Sequence, residues 1–102
     1  MMKDMSGLMR QAKEMQEKLK KAQMELEKEI VTGSAGGAVE VTMTGTQRVI
    51  EVRLNEAKIR DISTERLQSL ILQAVNDALE RSRKVMAKKI GPLGGGLGGL
   101  KL

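Results

Sequence analysis

Met5, Leu8, Ala12, Met15, Leu19, Ala22 and Leu26 follow one another at spacings of 3, 4, 3, 4, 3 and 4. This rhythm lays a narrow apolar stripe along a helix and is the a/d seam of a coiled coil. Neither glycine nor proline interrupts the chain from Leu8 to Ile30, and polar residues fill nearly every position between the seam residues. A helix of about 25 residues extends roughly 40 Å at 1.5 Å per residue. A rod of that length cannot bury its own stripe, so the fold must supply a partner helix.

After this segment the period changes. Thr32, Gly33, Ser34, Gly36 and Gly37 stop the helix, and Val39, Val41 and Met43 then alternate with Glu40, Thr42 and Thr44. The two-residue repeat predicts a strand. It resumes after Gly45 and Thr46, with Ile50, Val52 and Leu54 on one face and Glu51, Arg53 and Asn55 on the other, which predicts a hairpin joined at Gly45-Thr46. A third, shorter strand is expected around Ile30 to Ser34, with the glycine cluster as the turn back. A phosphate-binding loop would need a preceding strand, a Gly-Lys-Ser/Thr ending and a following helix. Here the glycines follow a helix, lack the lysine and lead into a strand, so they are read as a bend.

Residues Glu56 to Ile62 are expected to be a connection, and Ser63 has the chemistry of an N-cap. Ile62 and Leu67 flank it at the spacing of a hydrophobic staple. Leu67, Leu70, Ile71, Ala74, Val75, Ala78, Leu79, Val85 and Met86 then mark a second helix whose apolar face is broad enough to cover a sheet. It should end near Ile90, before Gly91 and Pro92. The remaining "GPLGGGLGGLKL" is low in complexity. The expected organisation is one α+β domain over residues 1–90, two long helices flanking a small antiparallel sheet, with a flexible tail over 91–102 whose leucines are available to a partner.

Composition restricts the chemistry. The 102 residues include no cysteine and no histidine, which removes disulfides, thiolate nucleophiles, the usual general base and the commonest zinc ligands. Nothing pairs the remaining Ser, Asp, Glu and Lys into a reactive set, so neither an enzyme nor a metal or other cofactor is expected. Absence of every aromatic residue removes the stacking platform used to hold single-stranded nucleic acid. No secretory h-region or membrane-length apolar run is evident, so a cytoplasmic location with neither a membrane partner nor a small-molecule substrate is expected.

Eighteen basic residues against 13 acidic ones give a net charge of +5, which favours an anionic partner. No acid follows Glu80, whereas Arg81, Arg83, Lys84, Lys88 and Lys89 fall close together. Arg81, Lys84 and Lys88 share one helical face. That face serves either to contact phosphates or to complement the helix dipole. On the first helix Lys3, Arg10, Lys13, Lys20, Lys21 and Lys28 point outward together with Glu14, Glu17 and Glu27. Such a surface also suits an ordinary solvated helix with i,i+4 pairs.

The stretches "MRQAKEMQEKLKKAQMELEKEIVTGSAGGAVEVTMTG" and "LQSLILQAVNDALERSRKVMAKKIGPLGGG" resemble the YbaB/EbfC family of bacterial nucleoid-associated proteins. The most specific features are Gln11-Ala12 with Met15-Gln16, the Val31 to Gly45 stretch with Gly36-Gly37, and Leu70-Ile71-Leu72 followed by Ala74 and Asn76-Asp77-Ala78. The resemblance implies an α-β-β-β-α fold and a homodimer with projecting helices. It also implies binding to double-stranded DNA that alters the conformation of the duplex, in the nucleoid, with a role in nucleoid organisation and gene regulation. The basic positions matching the projecting helices are Arg10, Lys13, Lys20 and Lys21 in the first and Arg81, Lys84 and Lys88 in the second. A different expectation follows from the helix, hairpin, helix order and the eight methionines: a coiled-coil scaffold or prefoldin-like holdase without a DNA role.

Overall fold

A computed structural model describes the backbone of residues 2–91 and the side chains of residues 6–91. The tail from residue 92 onward, and the side chains of Lys3 and Met5, lie outside the described residues. The element order is α1 (Met2–Lys28), β1 (Ile30–Ala35), β2 (Val39–Thr44), β3 (Val49–Leu54), α2 (Glu56–Ile59) and α3 (Thr64–Ile90). This is the expected α-β-β-β-α arrangement with one added helical turn.

The strands form an antiparallel sheet in the order β1-β2-β3. Gly36 and Gly37 are the two central residues of the β1–β2 turn, at φ +56° and +65°. A tight hairpin needs this left-handed pair, and glycine adopts it without a Cβ penalty. The glycine cluster is thus a bend between strands.

Helix α3 lies across β1 and β2. Val39, Val41 and Met43 of β2 are buried with Leu70, Ala74 and Ala78 of α3. The contact is close because β1 presents Gly33 there: a Cβ at that position would stand 2.3 Å from the Ala78 nitrogen and 2.4 Å from the Ala74 oxygen. Small residues on both elements let backbone approach backbone. Ser63 caps α3 as expected, its Oγ accepting from the Arg66 amide at 3.1 Å, which contributes about 1 kcal/mol.

Three local expectations are corrected. The β2–β3 connection has four residues, Gly45 to Arg48, with Gln47 at φ +67°. Gly45 is not spent on turn dihedrals: its amide reaches the Leu26 and Glu29 carbonyls at 2.9 and 3.0 Å, closing the end of α1, and a Cβ there would stand 2.6 Å from the Leu26 oxygen. The segment after β3 is not wholly a loop, because the Asn55 side chain accepts from the Lys58 amide and starts α2. Finally, β3 shows no buried side, and a register shift interrupts its pairing between Thr42 and Met43; all six of its residues are exposed, Ile50, Val52 and Leu54 by about half. They extend the face of β2, with Val52 beside Val41 and Leu54 beside Val39, beyond the two strands that α3 covers.

The partner that α1 requires is the end of α3. Ala22 and Leu26 are buried, Met15 and Leu19 are half-buried, and Leu8 is 66% exposed. One end of the stripe is therefore packed, and the other projects as an arm.

Candidate nucleic-acid interface

The cations singled out in the sequence divide between two elements. Arg10, Lys13, Lys20 and Lys21 all stand exposed on α1, and among the described residues none has a carboxylate within ion-pair distance. The seam of α1 forces this: with Ala22 and Leu26 turned inward, the intervening positions face water. Arg10 and Lys13 occupy the projecting half, and Lys20 and Lys21 lie nearer the sheet, roughly 15 Å further along the helix axis at 1.5 Å per residue.

On α3 the predicted face is not uniform. Arg81, Lys84 and Lys88 are exposed, but the Arg81 Nε donates to the Asp77 Oδ2 at 3.3 Å. The same Asp77 oxygen accepts from the Ser34 amide on the outer edge of β1 at 3.0 Å. That backbone hydrogen bond, followed by attraction to Arg81 and Lys84, outweighs partial burial and holds the Asp77 carboxyl below the ordinary aspartate range. Arg81 therefore has an internal task, bracing the carboxylate that ties α3 to β1. Lys89 has one too, lying 3.5 Å from Glu25 and 3.7 Å from Glu29 of α1. Arg83, Lys84 and Lys88 are left without an acid partner among the described residues.

Arg83 was absent from the predicted set because helical spacing turns it away from the face shared by Arg81, Lys84 and Lys88. Tertiary packing restores its relevance. The β2–β3 turn lies against this part of α3, and an open hollow of about 500 Å³ between them is lined by Gln47, Glu80, Arg83, Lys84, Met86 and Ala87. The turn is fastened to the helix by buried Ser82, whose Oγ donates to the Thr44 and Gly45 carbonyls at 3.2 and 3.0 Å. Thr44 Oγ1 lies 2.8 Å from Thr46 Oγ1 and accepts from the Arg48 amide at 3.2 Å. These bonds fix where the exposed Gln47 and Arg48 side chains begin. The only sequence signal for this neighbourhood was the excess of hydroxyl residues, Thr42, Thr44 and Thr46, beside a predicted turn.

Among the described residues no group of three or more acidic side chains is arranged to hold a metal ion. No described helix is long and apolar enough to cross a membrane. What the described surface offers is positive charge on two helices without acid partners among the described residues, and a braced turn.

Comparison with known proteins agrees with that character. Residues 2–97 match the model of the YbaB/EbfC DNA-binding family. A protein of Rhodococcus erythropolis named nucleoid-associated protein is 42% identical over 97 residues, covering 94% of this chain and 87% of the relative. A nucleoid-associated protein of Desulfotalea psychrophila is 41% identical over 95 residues, covering 92% and 90%. The crystal structure of a Helicobacter pylori protein superposes with a TM-score of 0.69 at 20% identity, covering 78% of this chain and 84% of that one; it bears out the fold.

Proposed function

The chain belongs to the YbaB/EbfC DNA-binding family, and from that premise we propose that it binds duplex DNA mainly through backbone phosphates, changes the path of the duplex and so contributes to nucleoid organisation and gene regulation in the bacterial cytoplasm. The observation that carries this reading is the set of exposed cations on both long helices that have no acid partner among the described residues: Arg10, Lys13, Lys20 and Lys21 on α1, Lys84 and Lys88 on α3. Arg81 belongs to the same face but shares its charge with Asp77. Catalysis has no part in the proposal, since phosphate neutralisation needs placed charge rather than a reactive group.

Two copies are proposed to act together. The apolar row of β3, with Val52 50% exposed, is continuous with the buried face of β2, and β3 has an open edge. An open edge beside half-exposed Val, Ile and Leu is the kind of surface that a two-fold partner covers. On the other sheet edge, the Ser34 amide is already occupied by Asp77, which favours β3 as the joining edge. Pairing also doubles the number of cations offered to one duplex.

The test is the affinity for a generic duplex across a salt series. Each neutralised phosphate adds about −0.9 to the slope of log K against log salt, so six contacts give a slope near about −5. Charge reversal of Lys20, Lys21, Lys84 and Lys88 together should weaken binding to all duplexes alike. Salt-insensitive capture of unfolded chains, without DNA retention, would instead support the holdase reading, which the exposed Leu8 and Met9 of the arm favour.

A further inference from the structure

We infer that the hollow between the β2–β3 turn and α3 seats the sugar-phosphate backbone of the duplex, with Arg83 as its phosphate contact beside Lys84 and Gln47 as a neutral hydrogen-bonding neighbour. This rests on the reading of the chain as a DNA-binding protein and extends it to residues on neither of the helical faces identified from sequence.

Three observations converge. First, the hollow has a mixed character: Met86 and Ala87 supply apolar lining while Arg83 and Lys84 bring cations. A deoxyribose-phosphate unit needs this combination, a surface for the sugar and a charge for the phosphate. Second, the turn is preorganised. Ser82, Thr44 and Thr46 hold it by the hydrogen bonds described above, so Gln47 meets a ligand with little ordering cost. Third, Gln47 sits at φ +67°, a region that glutamine seldom occupies. The bonds from the Gln47 amide to the Thr44 carbonyl at 3.0 Å and from the Thr44 amide to the Arg48 carbonyl at 2.8 Å hold it there, at the lip of the hollow. Strain retained in this way is frequent at binding sites.

Glu80 also lines the hollow and makes the inference sharp. Its carboxylate opposes an approaching phosphate, whereas Arg83 and Lys84 attract one. If DNA crosses this hollow, removing the Glu80 charge must strengthen binding. If DNA instead stays on the outward face of α1, removal does little once salt screens the Glu80 charge.

The experiment measures duplex affinity against salt for the full chain and its variants, with thermal unfolding midpoints recorded to confirm that each variant folds. Arg83→Ala should make the slope shallower by about 0.9, equivalent to about 8-fold weaker binding at 0.1 M salt. Glu80→Gln should bind several-fold tighter, and Gln47→Gly several-fold weaker at unchanged slope. If Arg83→Ala or Glu80→Gln leaves affinity at the parent value while charge reversal at Lys20 and Lys21 abolishes it, the inference is overturned and the functional proposal stands. If the parent chain shows no salt-dependent duplex binding, both fall.

Discussion

Leu8 and Leu26 belong to one apolar stripe on one helix, yet Leu26 is 1% exposed and Leu8 66%. At the Leu26 end, α1 meets α3, the turn after β2 and the amide of Gly45. At the Leu8 end, residues 6–14 are exposed throughout. A heptad repeat reports that a helix has a side to bury; what buries it is decided elsewhere in the chain. The packed junction and the projecting arm therefore differ in what mutation does to them, and in kind: one holds the fold, and the other is free to carry charge to a partner.

The contrast breaks most readily at Gly33, where α3 comes closest to the sheet. Gly33→Val puts side-chain atoms where the Ala78 and Ala74 backbone already stands. It should cost upwards of about 3 kcal/mol, seen as a large fall in the urea midpoint. Tolerance of valine there would mean that α3 is not seated as closely as described.

Next in size is the paired test along the stripe itself. Leu26→Ala should destabilise by about 2 to 5 kcal/mol through lost burial and a residual cavity. Leu8→Ala should cost less than about 0.5 kcal/mol. Equal losses in urea unfolding would erase the distinction between the two ends, and would show that Leu8 is covered in solution.

Ser82→Ala sharpens the comparison from the α3 side. Loss of a buried donor to two carbonyls should cost about 1 to 2 kcal/mol. Amide exchange at Gln47 and Arg48 should accelerate, while exchange in residues 6–14 stays as it was. Acceleration confined to the arm would contradict the role given to Ser82.

The smallest effect is on pH dependence. Because Asp77 has a lower carboxyl pKa folded than unfolded, its contribution is present above the unfolded value of about 3.9. It is lost as pH falls through the folded value. Asp77→Asn should therefore show a shallower loss of stability below about pH 4 than the parent chain. An identical acid limb in both proteins would remove the Ser34–Asp77 tie from the account.

Much of the fold was legible because local pattern and local structure obey the same periods. The switch from a seven-residue to a two-residue repeat marked α1 and the strands, Ser63 marked the start of α3, and Gly36-Gly37 marked the turn. The one-turn α2 was missed although Asn55 and Glu56 form a capping signal, because four residues are too few to show a helical period. The charged faces were legible in the same limited sense. Spacing grouped Arg81, Lys84 and Lys88 but said nothing of the Asp77 that occupies Arg81, nor of the Glu25 and Glu29 that occupy Lys89.

The sequence by itself determined the two long helices, the three strands, their order and their apolar faces, because each is set by residues within a few positions of one another. Tertiary structure alone decided which half of the α1 stripe is buried, that the apolar row of β3 stays half exposed, and that Gln47 borders the same hollow as Arg83. Those outcomes depend on contacts between residues 19 or more positions apart, such as Gly45 with Leu26, Ser82 with Gly45 and Lys89 with Glu25. No local period encodes such a distance; the close seat of α3 on Gly33 and the bonds from Ser82 to the turn bring those positions together.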